Sequence, residues 1–228
     1  MLLHSRWNAP VALVLLVAAA SLGIAARFYV PNVWGQSFFV ATRFWILALP
    51  IVWHLWIDRG NLTLNVPRKR EVWAGIVSGI VISAVILGAY GWLGRTWIDP
   101  SVVRATAGDI GLLNPIAYLA GATYFTFINA LVEEYIWRWF VYRKCEVLLA
   151  GKLAVILAAF CFTLHHVIAL AALTGNGWVV ALGSLGVFLG GVIWSWCFLA
   201  YRSLWVCYVS HLLADLAIAL IGWHLLFG

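Results

Sequence analysis

Seven long apolar runs separated by short polar breaks organise the chain, at roughly 10–26, 37–57, 73–94, 115–141, 153–173, 177–200 and 203–225. A helix crossing the hydrocarbon core needs about 20 mostly apolar residues, and these runs reach or approach that length. Membrane barrel strands would alternate apolar and polar positions, whereas these runs are continuously apolar. The pattern predicts an all-α, polytopic integral membrane protein with about seven transmembrane helices, forming one membrane domain over residues 1–228. The longest connection, 95–114, is marked by Pro100 and closed by Pro115, and it is expected to carry a small surface helix. The first run has a rival reading as a signal peptide, with Arg6 before it and Ala25 and Ala26 at its end. Its length slightly exceeds a usual signal core and favours a retained helix.

Composition sharpens this picture. Only 10% of the 228 residues are charged, 65% are hydrophobic, and the mean hydropathy is +1.00. Soluble domains carry about 25% charged residues, so a soluble globular fold is excluded. Many of the 15 tryptophans fall near run ends, among them Trp34, Trp56, Trp97 and Trp178, where the headgroup layer favours amphipathic rings. The net charge of +6 does not indicate nucleic acid, because the basic residues lie in short loops, with Arg68, Lys69 and Arg70 the densest cluster. That distribution suits topology signals and contact with anionic lipid. With the N-terminus inside, the cytoplasmic segments hold Arg6, Arg59, Arg68, Lys69, Arg70, Arg143, Lys144, Lys152 and Arg202, against Arg27, Arg95 and Arg104 outside. The expectation is a multi-pass protein of the cell membrane with a cytoplasmic N-terminus and an external C-terminus. Cys145, Cys161, Cys197 and Cys207 lack CxxC spacing, so neither a disulfide nor a cysteine-held metal is expected.

Charged groups at helix centres cost about 2.5–3.5 kcal/mol on insertion scales and therefore need a reason. Here they concentrate in three runs. In the fourth, Glu134 and Arg138 are one turn apart and can pair, while the adjacent Glu133 points about 100° away and shares its face with Asn129. In the fifth, His166 lies one turn after Phe162, and His165 precedes it; two successive histidines diverge, so at most one is expected to face a given site. In the seventh, His211 and Asp215 form another pair one turn apart. Each has a plainer account: a snorkelling helix end, a hydrogen-bonded helix contact, a self-satisfied His–Asp pair. Together they suggest one pocket about 10–20 Å deep in the cytoplasmic half.

Three motifs in order, Glu133-Glu134…Arg138, Phe162…His166 and His211…Asp215, resemble the EExxxR, FxxxH and HxxxN/D pattern of the CPBP family, the CAAX protease and bacteriocin-processing (Abi) glutamic intramembrane proteases. The stretch from Gly190-Gly191 through Tyr201-Arg202-Ser203-Leu204-Trp205 to Ser210-His211 also looks like that family. The resemblance covers about residues 115–220, the catalytic core it implies. It implies hydrolysis of a peptide bond in a membrane-associated polypeptide, such as a lipidated or C-terminal sorting tail or a leader segment. Glu133 would activate a water shared with His166, Arg138 would orient the glutamates through Glu134, and His211 with Asp215 would hold the oxyanion. A carboxylate in low dielectric is a better base near neutrality than one in water, which suits the first role. Asp215 departs from the asparagine of many members: it must be protonated to donate, or else it orients His211.

No cofactor is called for. Two rivals come from the residue types themselves. A metal-dependent intramembrane protease could use Glu133, Glu134, His166, His211 and Asp215, but no HExxH helix is present, and His165 and His166 are not expected to reach one ion from a straight helix. A proton or ion relay could use the same groups without any hydrolysis, although no inverted repeat is visible. A non-proteolytic scaffold or immunity role within the family is disfavoured by the intact motifs. Partners are therefore expected to be a membrane-anchored polypeptide and the bilayer, with no nucleic acid.

Overall fold

The structure is a computed structural model that describes residues 2–61 and 66–228, with side chains from Trp7 onward. Arg6, counted above among the cytoplasmic charges, has its side chain outside the described set. Eight helices organise the described residues: α1 (Leu2–Tyr29), α2 (Val33–Ile57), α3 (Lys69–Trp97), α4 (Pro100–Asp109), α5 (Pro115–Leu148), α6 (Lys152–Thr174), α7 (Gly177–Tyr201) and α8 (Leu204–Phe227). All but α4 are long and apolar enough to cross a membrane, so the chain is an all-α polytopic membrane protein. The short helix expected between 95 and 114 is α4, started by Asp99, whose Oδ1 accepts from the Ser101 amide at 2.8 Å. It is tied down by Arg104 Nε, which donates to the Leu225 carbonyl at 3.0 Å.

Several observed helices outrun their apolar runs, and polar contacts explain α3 and α5. α3 starts at Lys69 because Glu71, in its first turn, accepts from the Arg68 amide at 3.1 Å and from the Ser203 hydroxyl at 2.9 Å. A carboxylate there also answers the positive end of the helix. α5 continues to Leu148 because its last turns carry charges with partners on other elements. Glu146 receives both guanidinium arms of Arg202 at 2.7 Å, and Lys144 pairs with Asp58.

Close helix contacts use small residues, as expected where lipid is no poorer a solvent for side chains than the protein. α3 lies against α8 along Gly75 and Gly79, where an added Cβ would come within 2.8 Å of the Val206 carbonyl and 2.7 Å of Leu213. Ser83 Oγ, one turn further on, donates to the Leu213 carbonyl at 2.8 Å. α6 packs on α7 and on α1, and α1 packs on α2. One buried cluster joins Leu16, Ile46, Phe140, Val155, Phe162, Trp194 and Val206, so the three motif helices share a core with the first two.

Candidate active site

The helix carrying the two glutamates is not uniform. Glu133 and Glu134 lie on a short α-helical stretch, Ala130–Glu134, between two π-helical stretches, Tyr124–Asn129 and Tyr135–Tyr142. A π-helical turn takes in extra residues and re-aims the side chains around it, and such turns recur at functional sites. Here they hold the adjacent glutamates in two different environments. The Glu134 side chain is 0% exposed, and that of Glu133 is 16% exposed.

Glu134 anchors a dry network. Its Oε1 receives His211 Nδ1 at 2.7 Å and lies 3.0 Å from Arg138 Nη1. The carboxylate can only accept, so Nδ1 of His211 carries a proton. The Arg138 guanidinium is sandwiched, 4.5 Å from the Phe162 ring centroid and 5.0 Å from that of Trp194. Trp194 in turn stacks on the His211 ring at 4.1 Å and donates Nε1–H to Ser210 Oγ at 3.0 Å. Gly191, one turn before Trp194, lets α7 approach α6 closely, since an added Cβ would lie only 3.2 Å from Ala159 and Phe162, tighter than ordinary contact.

Glu133 faces the other way. Asn129 Nδ2 donates to its Oε1 at 3.1 Å, and its Oε2 lies 3.7 Å from His211 Nε2. The second nitrogen of His211 is also 3.5 Å from Asp215 Oδ1, too long for a strong hydrogen bond in either case. His166 Nδ1 donates to the Phe162 carbonyl at 2.9 Å, which leaves its Nε2 as an acceptor in the neutral ring. Oxygen of Glu133 and one nitrogen each of His165 and His166 lie within 4.8 Å of one another. That spacing suits a single bridging water.

All six expected residues therefore meet: Glu133, Glu134 and Arg138 from α5, His166 from α6, and His211 and Asp215 from α8. The expectation that His165 and His166 diverge is corrected. Their ring centroids are 4.0 Å apart, and His165 lies flat on Trp137 at 4.9 Å with 5° between planes. A 100° separation at the backbone is closed by two side-chain torsions once the indole fixes one ring. The donor set Glu133, His165 and His166 is consequently compact enough to hold a metal ion. Nothing in the sequence gives Trp194 or Trp137 a role at the site. They sit at unexceptional positions in apolar runs, and only the folded contacts show that they hold imidazoles in place.

Residues 114–217 match a family model described as type II CAAX prenyl endopeptidase Rce1-like. That model belongs to the CPBP family. The match spans all three motifs and places the segment among CAAX-type proteases, membrane-embedded hydrolases. Comparison with curated proteins finds no match, and comparison with solved structures finds none.

Proposed function

We propose that this protein is a glutamic-type intramembrane endopeptidase acting on the C-terminal tail of a membrane-anchored polypeptide. The observation that carries the reading is the approach of a partly exposed Glu133 to the histidine pair, with one oxygen and two ring nitrogens within 4.8 Å of one another, a spacing that one water can bridge. A water held there donates one proton toward Glu133 and the other toward His166 Nε2. Its oxygen attacks the scissile carbonyl as Glu133 takes the proton, and Glu133 then returns that proton to the leaving amine. His211, with Nδ1–H committed to Glu134, donates Nε2–H to the developing oxyanion as the imidazolium, the form favoured by the carboxyl groups of Glu134, Glu133 and Asp215 around it. Arg138 holds Glu134 in place, so it acts on the chemistry through His211. Glu134 is sealed from water and already engaged twice, which favours Glu133 as the base.

The substrate class follows from the family match: a lipidated tail of the CAAX kind, with sorting tails and leader segments as further members of the class. The test is cleavage of a prenylated C-terminal peptide by purified protein in lipid nanodiscs, comparing the native chain with Glu133→Gln and His166→Ala. Both variants are expected to lose cleavage; equal cleavage by all three overturns the assignment. Orientation belongs to the same proposal. With the N-terminus cytoplasmic, the site opens toward the cytoplasmic half, and labelling of single cysteines at Arg59 and Gly175 from either side tests it.

A second reading has its own observation, since Glu133, His165 and His166 form a compact N/O donor set. A divalent ion there would activate the same water. Activity that survives exhaustive chelation excludes a required metal, and activity restored by one added metal supports it.

A further inference from the structure

Arg43 lies ten residues into α2, about 15 Å from the start of the helix. A guanidinium at such a depth is costly and calls for an anion. Arg138 has one, in Glu134. Arg43 has none: among the described residues no carboxylate lies within ion-pair distance, and Nε and Nη2 are shielded from solvent without a hydrogen-bond partner. Its described neighbour is the Phe39 ring, 4.9 Å from the guanidinium carbon.

The position of Arg43 relates it to the site. Leu47, one turn further along α2, accepts a hydrogen bond from Tyr135 at 3.0 Å, and Tyr135 is two residues from Glu133. Arg43 is accordingly on the turn of α2 that borders the catalytic stretch of α5, and its charge is felt at Glu133, Tyr124 and His165. The two unpartnered nitrogens, Nε and Nη2, are the edge of a guanidinium that offers two parallel N–H groups, the fork that takes a carboxylate bidentately.

We propose that Arg43 binds the free C-terminal carboxylate of the substrate. The inference rests on the peptidase reading and narrows it: the tail is held by its end, so cleavage occurs a short, set distance from the C-terminus. A mid-span position disfavours a lipid phosphate, which stays in the headgroup layer. A terminal carboxylate can be carried to this depth because the substrate's own anchor lies in the hydrocarbon. A bound carboxylate supplies the close counter-ion that Arg43 lacks, since Glu133 acts on it only from beyond ion-pair distance.

The test measures binding apart from cleavage. In neutral-lipid nanodiscs, Glu133→Gln protein is titrated with a fluorescent prenylated peptide ending in a free carboxylate and with its C-terminal amide. The acid is expected to bind about 10- to 100-fold more tightly, the range of a charge-assisted pair. Adding Arg43→Met, or Arg43→Gln where Met impairs folding, is expected to bring the two affinities within about twofold, and Arg43→Lys to keep part of the preference. Equal affinity for acid and amide with Arg43 intact overturns the proposal, as does a preference that survives its removal. Loss of the preference on adding anionic lipid identifies a lipid phosphate as the occupant and overturns it too. With Glu133 intact, cleavage of both peptides at equal KM sinks the Arg43 inference alone. Acid-selective binding without any cleavage sinks the peptidase reading and leaves a carboxylate site.

Discussion

The two sides of α5 around the adjacent glutamates differ in every physical respect. On the Glu134 side the groups are buried and packed together: a carboxylate hydrogen-bonded to an imidazole and at ion-pair distance from a guanidinium that lies between two aromatic faces, with Arg138 1% exposed. On the Glu133 side the carboxylate is partly open, the histidine nitrogens face a gap, and Arg43 lacks a counter-ion. A sealed ion pair packed between aromatic rings is held in place, whereas partly open polar groups are where a substrate or water completes the structure. The contrast teaches that packing alone can put two identical neighbouring side chains in a sealed and an open environment, the division on which the proposed scaffold and reagent roles rest.

The largest expected effect tests the reagent side. Glu133→Gln should lower peptide cleavage by about 10²–10⁴-fold, the usual contribution of a general base. Its thermal unfolding in detergent should stay within about 0.5 kcal/mol of native, because the amide keeps the Asn129 contact and the site is partly open. A large loss of stability would erase the distinction between the two sides.

On the scaffold side the signs reverse. Arg138→Met removes one partner of a buried pair and leaves Glu134 uncompensated, so a loss of about 3–5 kcal/mol is expected. Denaturant unfolding measures it, and a cost below about 1 kcal/mol would show that the pair is solvated. Activity should fall as well, but together with the folded fraction. That parallel separates Arg138 from Glu133, whose loss is catalytic.

How far the sequence reveals the site depends on which side is considered. Charge in an apolar run is conspicuous, so Glu133, Glu134, Arg138, His166, His211 and Asp215 could be picked out by their cost in lipid. The seven spans were legible for the same reason. What positions these groups was not. Trp194 and Trp137 look like any tryptophan in a membrane run, and the π-helical turns flanking Ala130–Glu134 have no residue signature comparable to a proline or glycine. The divergence expected of His165 and His166 failed because helical angle places backbones, while an indole plane decides where a ring lies. Arg43, a charge inside the second run, gains meaning only from the folded surroundings, which give it no close counter-ion.

Trp194→Phe sharpens the scaffold side further. The phenyl ring keeps most of the stack on His211 and loses the Nε1–Ser210 hydrogen bond, 3.0 Å in the native chain. A loss of about 1 kcal/mol in stability is expected. A rate reduction of about tenfold should accompany it, because a tilted His211 no longer meets the oxyanion squarely. Unchanged kinetics would mean that Glu134 alone fixes the imidazole.

The smallest effect belongs to Asp215, which stands between the two sides. Its Oδ1 is 3.5 Å from His211 Nε2, while Oδ2 is buried and has no partner among the described residues. If the protonated acid donates to the oxyanion, the amide of Asp215→Asn can donate equally, and cleavage should stay within about threefold of native. If instead the ionised carboxylate orients His211, the amide weakens that hold, and the loss should reach about tenfold or more, the range of a charged hydrogen bond. Asp215→Ala lowers activity under both accounts and so calibrates the full effect. The ratio of the Asn to the Ala variant decides the matter. A ratio near one assigns Asp215 to the scaffold with Glu134, and a ratio near that of native to Ala assigns it to the reagents with Glu133.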